Sequence, residues 1–345
     1  MTIVTSMSTP NPPFHGGRLH QAAQQFGIPV ENWVDLSTGI NPHSYPLPAV
    51  PRDIWQKLPD AGDNLLDIAA SYYGSSHLLA VAGSQVAIEA LPRLRSHSRV
   101  WILSPAYAEY AYHWKRQGHD VKELSVDELG AQIAYLDVVV VIRPNNPTAE
   151  LLSYTLLKRW LSILQQSNGW LVIDEAFMDA LPEGDEFSMI SQEPEHGLIV
   201  LRSVGKFFGL AGIRLGFVWA DPVLLAALAE QLTIWSVSSV ARWAGAIALQ
   251  DKHWQSLMRQ RLASDSQKLC TLVAKYDFEC VSTPLFCTVQ LSTIQRQSEF
   301  CAYQYFAERG ILIRNFEHLK AFRLGIPKND MTWRQLEETL SELKT

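Results

Sequence analysis

Charged side chains are sparse in this chain, at 19% of its 345 residues. Lysine and arginine number 29 against 35 acids, for a formal net charge of −6, and no basic run appears. Binding along a phosphate backbone draws on concentrated cations, so a nucleic-acid partner is not expected. Cysteine is scarce too, with four residues: Cys270, Cys280, Cys287 and Cys301. Their spacing matches neither a C-x-x-C pair nor a zinc ribbon, and a chain of this length needs no disulfide staples. They read as reduced core or surface thiols, and no metal is expected. No apolar run approaches the about 20 residues that cross a bilayer, so no membrane partner is expected. The opening M-T-I-V-T-S-M-S-T-P-N-P-P has no basic stretch followed by an apolar one. It reads as a loose arm rather than a secretory signal, which implies a cytoplasmic protein.

What the chain has in quantity is hydrophobic residues, at 47%. That fraction and the length predict a globular protein with a large core. Short β-branched runs alternate with helical patterns through the middle: Val100–Ser104, Leu136–Ile142, Trp170–Asp174, Leu198–Arg202 and Leu215–Ala220. Between them, Tyr154–Gln166 places Leu156, Leu157, Trp160, Leu161 and Leu164 on one helical face. This alternation predicts a doubly wound α/β unit. From Asp221 to about Lys275 the pattern is helical; short strands F-C-T-V-Q-L and I-L-I-R follow, then a closing helix from Thr332. The expected organisation is an N-terminal arm over residues 1–35, a large α/β domain over 36–245 and a smaller α+β domain over 246–345.

Ligands of open α/β sheets sit beyond the carboxyl ends of the strands. Past Leu136–Ile142 come Asn145 and Asn146 in R-P-N-N-P-T; Trp170–Asp174 ends on a carboxylate, followed by Glu175. Leu198–Arg202 leads into S-V-G-K-F-F-G-L-A-G-I-R-L-G, which carries Ser203, Lys206 and Arg214 in an apolar, Gly-rich setting. Earlier, Gly83-Ser84-Gln85 opens a helical stretch, where free N–H groups favour a phosphate. Arg214 could add a fixed charge to the same phosphate. A lysine for a Schiff base, an acid for a pyridine nitrogen and a phosphate cradle are what pyridoxal 5′-phosphate needs.

On S-x-x-K with an arginine eight residues beyond the lysine, D-E-A-F and N-N-P-T in that relative arrangement, the chain resembles the fold-type-I pyridoxal-phosphate enzymes of the aspartate-aminotransferase superfamily. The resemblance implies a large domain with a mostly parallel seven-stranded sheet between helices, plus a smaller α+β domain, and a homodimer. It implies Lys206 as the Schiff-base lysine, Asp174 opposite the pyridine nitrogen and Asn146 at the ring 3′-oxygen. It places Gly83, Ser84, Gln85, Ser203 and Arg214 around the phosphate and Tyr107 on the ring face. Two positions depart from the family pattern: Phe177 replaces the tyrosine of D-E-A-Y, and Leu58 that of Y-P-D.

Cofactor motifs do not choose the reaction, because the ring stabilises a carbanion whichever α-carbon bond breaks. Arg323 in A-F-R-L-G matches the superfamily's carboxylate-gripping arginine, and Arg314 in I-L-I-R-N-F adds a second cation. Two arginines suit a doubly anionic substrate such as a phosphorylated amino acid. H-G-G-R-L, V-D-L-S-T-G-I-N-P and D-E-A-F-M-D look like the L-threonine-O-3-phosphate decarboxylases of cobalamin synthesis. That resemblance implies His15, Gly16 and Asn41 in the substrate pocket. The expected reaction is decarboxylation of L-threonine O-3-phosphate to (R)-1-amino-2-propanol O-2-phosphate. The alternatives are an aminotransferase of the histidinol-phosphate type and a non-catalytic cofactor-binding regulator.

Overall fold

The computed structural model describes residues 12–130, 132–292, 295 and 300–343, so the first part of the expected arm lies outside the described residues. Its centre is a seven-stranded sheet. In spatial order the strands are Leu78–Val81, Gly216–Trp219, Leu198–Ser203, Trp170–Asp174, Val138–Ile142, Arg99–Leu103 and Asp120–Leu124. Gly216–Trp219 runs antiparallel to both neighbours and every other pairing within the sheet is parallel.

Strict alternation explains why these runs sit at the centre. Val139, Val141, Leu171, Ile173 and Val200 feed one core, whereas Val138, Val140, Val172, Ile199 and Leu201 feed the other. These three central strands are buried on both faces, and their side chains alternate with period two. Several helices start on side-chain caps: Ser153 accepts from the Leu156 N–H, Asp221 from Leu224, Ser238 from Ala241 and Asp251 from Trp254. Each such cap stabilises its helix by about 1 kcal/mol.

The helical stretch after Asp221 resolves into Pro222–Glu230, Ser239–Gln250 and Lys252–Lys275. The expected division at residue 245 falls inside the second of these, which packs against Leu65–Tyr73 of the large unit. We therefore propose Asp251, the cap of the third, as the passage between units. The third helix lies on a four-stranded antiparallel sheet ordered Arg314–Phe316, Ala321–Gly325, Phe286–Gln290, Cys280–Thr283. I-L-I-R does not form one strand there. Ile311–Leu312 pairs instead with Val34–Asp35, which joins the N-terminal segment to the smaller unit. The closing helix begins at Asp330, two residues ahead of the sequence expectation.

Candidate active site

Five chain segments bring their chemistry to one end of the large sheet. Leu78–Val81 runs parallel to the central strands because two antiparallel pairings separate it from Leu198–Ser203. Its carboxyl end therefore delivers Gly83, Ser84 and Gln85 to the same side as Tyr107, Asn146, Asp174 and Ser203. Ser203 pairs directly with Gly216, so the motif between them is a loop closing an antiparallel pair at that end. This is why Lys206 and Arg214 arrive together.

A cavity of about 470 Å³ there is lined by His15, Ser84, Gln85, Tyr107, Glu109, Asn146, Asp174, Ser203, Lys206 and Arg214, among others. Asp174 is 4% exposed; its Oδ1 accepts from the Ala176 N–H at 3.0 Å and its Oδ2 from the Tyr110 hydroxyl at 3.0 Å. Burial outweighs those bonds and raises its pKa above the ordinary carboxylate value, so a cation beside it would be favoured. Lys206 makes no side-chain hydrogen bond among the described residues, and its Nζ lies 5.7 Å from the Phe177 ring centroid. Burial, with Arg323 adding repulsion, brings the Lys206 amine down to about 8.

Arg214 occupies the left-handed region at φ 55°. Gly83, at φ +80°, lies beneath it: a Cβ there would stand 2.5 Å from the Arg214 guanidinium. Only glycine permits that approach at that backbone angle. The guanidinium, Ser84, Gln85 and Ser203 thus border one corner of the cavity. A buried carboxylate, an amine of depressed pKa and a cationic, hydroxyl-bearing corner fit pyridoxal 5′-phosphate. Tyr107 borders the space a ring would take; its hydroxyl donates to Gln85 Oε1 at 3.1 Å.

A second cavity adjoins, sharing His15, Tyr107, Asn146, Phe177 and Lys206 and adding Gly16, Ser37, Arg314 and Arg323. Arg323 is 6% exposed, donates to Asn146 Oδ1 at 2.5 Å and to the Ser37 carbonyl at 2.8 Å, and is brought down to about 9 by burial and neighbouring Arg314. Its Nε has no partner in the structure described. Arg314 lies over the Phe14 and Phe316 rings, at 5.4 and 5.2 Å from their centroids. Among the described residues its guanidinium has no hydrogen-bonded acceptor. Gly16 packs on Ser37, whose carbonyl would lie 2.6 Å from a Cβ at that position.

Asn41 departs from the sequence expectation. It is buried outside both cavities; its amide donates to the Phe207 carbonyl at 2.7 Å and accepts from the His43 N–H at 2.8 Å. Its own N–H donates to the Lys206 carbonyl. The residue braces the lysine turn. Sequence reasoning also passed over Glu109 and Tyr110. Glu109 accepts from Gln85 at 2.8 Å, lies 2.9 Å from His113 Nε2 and 2.5 Å from His15 Nε2. The signal was present in A-Y-A-E-Y: both residues open the helix Glu109–Arg116 directly after the loop of Tyr107.

The family model for aminotransferase class I and II matches residues 32–342, and the chain belongs to that family. A threonine-phosphate decarboxylase of Pseudomonas aeruginosa is 43% identical over 330 residues, covering 96% of this chain and 98% of that protein. One of Salmonella typhimurium is 32% identical, covering 75% of this chain and 77% of that one. Among solved structures, histidinol-phosphate aminotransferase of Sinorhizobium meliloti, in complex with pyridoxal-5′-phosphate, superposes with TM-score 0.78 at 19% identity, covering 98% of each chain. L-threonine-O-3-phosphate decarboxylase of Porphyromonas gingivalis gives 0.70 at 19% identity, over 90% of this chain and 99% of that one. These structural likenesses establish the fold as fold-type-I, with the mixed sheet described above.

Proposed function

We propose that the protein is a pyridoxal-phosphate-dependent carboxy-lyase that converts L-threonine O-3-phosphate to (R)-1-amino-2-propanol O-2-phosphate and CO₂ in cobalamin synthesis. The observation that carries the reading is the second cavity. Arg314, Arg323 and His15 border it beside Lys206, which suits a phosphate-bearing amino acid next to a reactive amine. The likeness to the Pseudomonas enzyme over nearly the whole of both chains supports the particular substrate.

When bound, the cofactor supplies an aldehyde that joins an amine and a ring that accepts the electron pair released at the substrate α-carbon. Lys206 is the residue that would hold it, and Asp174 would keep the pyridine nitrogen protonated. Asn146 would reach the ring oxygen while oriented by Arg323. Ser84, Gln85, Ser203 and Arg214 would hold the phosphate group, with Gly83 leaving space for the arginine. Arg314, Arg323 and His15 would bind the substrate phosphate and leave the carboxylate with few cationic contacts. The bond to CO₂ is then the one aligned for cleavage. After CO₂ leaves, the Lys206 amine, poised near neutrality by its pKa of about 8, would return a proton to the α-carbon.

We also propose a cytoplasmic homodimer. Among the described residues no helix is long and apolar enough to cross a membrane. Trp55, Leu58, Ile234 and Trp235 are 65%, 64%, 76% and 56% exposed, apolar side chains that a second copy would cover. Turnover of L-threonine O-3-phosphate in D₂O tests the reaction. One solvent deuteron at C1 of the amino-alcohol phosphate supports it. A keto product formed only with an oxo-acid present would assign the site to transamination.

A further inference from the structure

The three cysteines of the smaller unit converge although the sequence keeps them apart. Cys270 lies on the helix Lys252–Lys275, Cys280 opens the strand Cys280–Thr283, and Cys287 lies on Phe286–Gln290. In the register of those two strands Cys280 opposes Val289, two residues beyond Cys287, so both thiols point to the same sheet face. The long helix packs on both strands and brings Cys270 to them. All three sulfur atoms lie within 4.8 Å of one another. Cys287 is fully buried, whereas Cys270 and Cys280 are half-buried at the rim of an apolar core holding Leu269, Val273 and Phe278.

We infer that Cys270, Cys280 and Cys287 form a binding site for one Zn²⁺ ion, separate from the active site. Three sulfur donors with no carboxylate or imidazole in the set select a thiophilic ion. Zn–S bonds of about 2.3 Å place tetrahedral sulfurs about 3.8 Å apart, so the thiols need to close by no more than about 1 Å. Ser282, within reach of Cys270, or a water would complete the fourth position. The half-buried pair gives the ion its way in, and binding releases the thiol protons. C-x₉-C-x₆-C carries no linear zinc signature because a helix and a hairpin, rather than two tight knuckles, supply the ligands. The bound ion would clamp the helix to the hairpin.

The test uses the full, cofactor-loaded chain, reduced with a phosphine and stripped of metal. Zn²⁺ is titrated against a chromophoric chelator and Co²⁺ is followed by absorbance. The expected result is one Zn²⁺ per chain, weakened more than about 100-fold in the C270S/C280S variant, since losing outer-shell partners alone weakens metal sites by 10–100-fold. Co²⁺ should give a sulfur-to-cobalt charge-transfer band in the wild type and in C301S, which alters the exposed cysteine outside the cluster. Equal zinc uptake by wild type and double variant overturns the site, as does one-to-one binding without the cobalt–sulfur band. So does a reduced wild type that has native circular dichroism and takes up no ion; C270S/C280S leaves buried Cys287 in place so that folding survives the test.

Discussion

Lys206 combines a depressed pKa with a place in the lining of both cavities. Lys206→Ala should lower turnover on the order of 10⁴-fold, the upper end of what a single acid–base group contributes, with the fold intact. Near-normal CO₂ release from that variant would remove the lysine from the mechanism. Arg323 belongs to the substrate side, where Asn146 and the Ser37 carbonyl hold its fork. Arg323→Leu should raise KM by about 30-fold or more, the effect of truncating one partner of a buried charged contact. A changed kcat at constant KM would place the arginine elsewhere. Glu109 touches His15, His113 and Gln85 at once, so Glu109→Gln keeps the shape and removes the charge that holds His15. A KM increase of about tenfold is expected, the value of one charged hydrogen bond, with far-UV circular dichroism unchanged.

Among the elements, the strand Leu198–Ser203 does two jobs. Its end leads to Lys206, while Arg202 within it pairs with Glu175 at 2.7 Å and with Asp179 beneath the site. Burial pulls the Arg202 guanidinium down, and the two carboxylates more than offset that pull. Asp179→Ala should therefore destabilise the protein by about 3–5 kcal/mol, because it strands a buried cation. Denaturant unfolding measures this, and a change under 1 kcal/mol would show that Glu175 alone satisfies the arginine. The central strands were legible in sequence because burial on both faces makes continuous apolar runs. Two strands were not. Asp120–Leu124 is a sheet edge with polar residues, and Leu78–Val81 is short and lies at the other edge. The reversed direction of Gly216–Trp219 was equally hidden: apolar pattern reports burial, whereas direction depends on the loop joining it to Ser203. The residues proposed to hold the cofactor could be picked out because they sit at strand ends or in the loops beside them. Asn41 turns its amide to the Phe207 carbonyl and the His43 N–H, a direction that a motif does not convey, and Glu109 was passed over because its partners lie 94 and 24 residues away as well as four.

For the whole molecule, the titration of Lys206 couples to stability. With its pKa at about 8 in the folded, cofactor-free chain and near the ordinary lysine value when unfolded, Lys206 binds fewer protons folded than unfolded between those two pH values. Unfolding free energy contributed by this group therefore rises as pH climbs from about 8 toward the ordinary lysine range, and its burden is greatest below 8. Cofactor-free Lys206→Met should lose that slope in denaturant titrations across pH 7 to 10, and retention of the full slope would assign it to other groups. Cofactor binding should raise Tm, and stripping it should lower Tm, since the ligand binds only the folded chain. Dimerisation should appear by sedimentation as a single species of twice the chain mass, and Trp55→Glu with Trp235→Glu should shift it toward monomer. The central claim, that this site removes CO₂ from a phosphorylated amino acid, meets its most direct test in one measurement: CO₂ evolved by the purified, pyridoxal-phosphate-loaded protein from L-threonine O-3-phosphate with no oxo-acid present. Sustained release over many turnovers, with the cofactor's absorbance unchanged at the end, is the predicted result. No release, with the cofactor converted to its amine form and released from that state only by an oxo-acid, would contradict it.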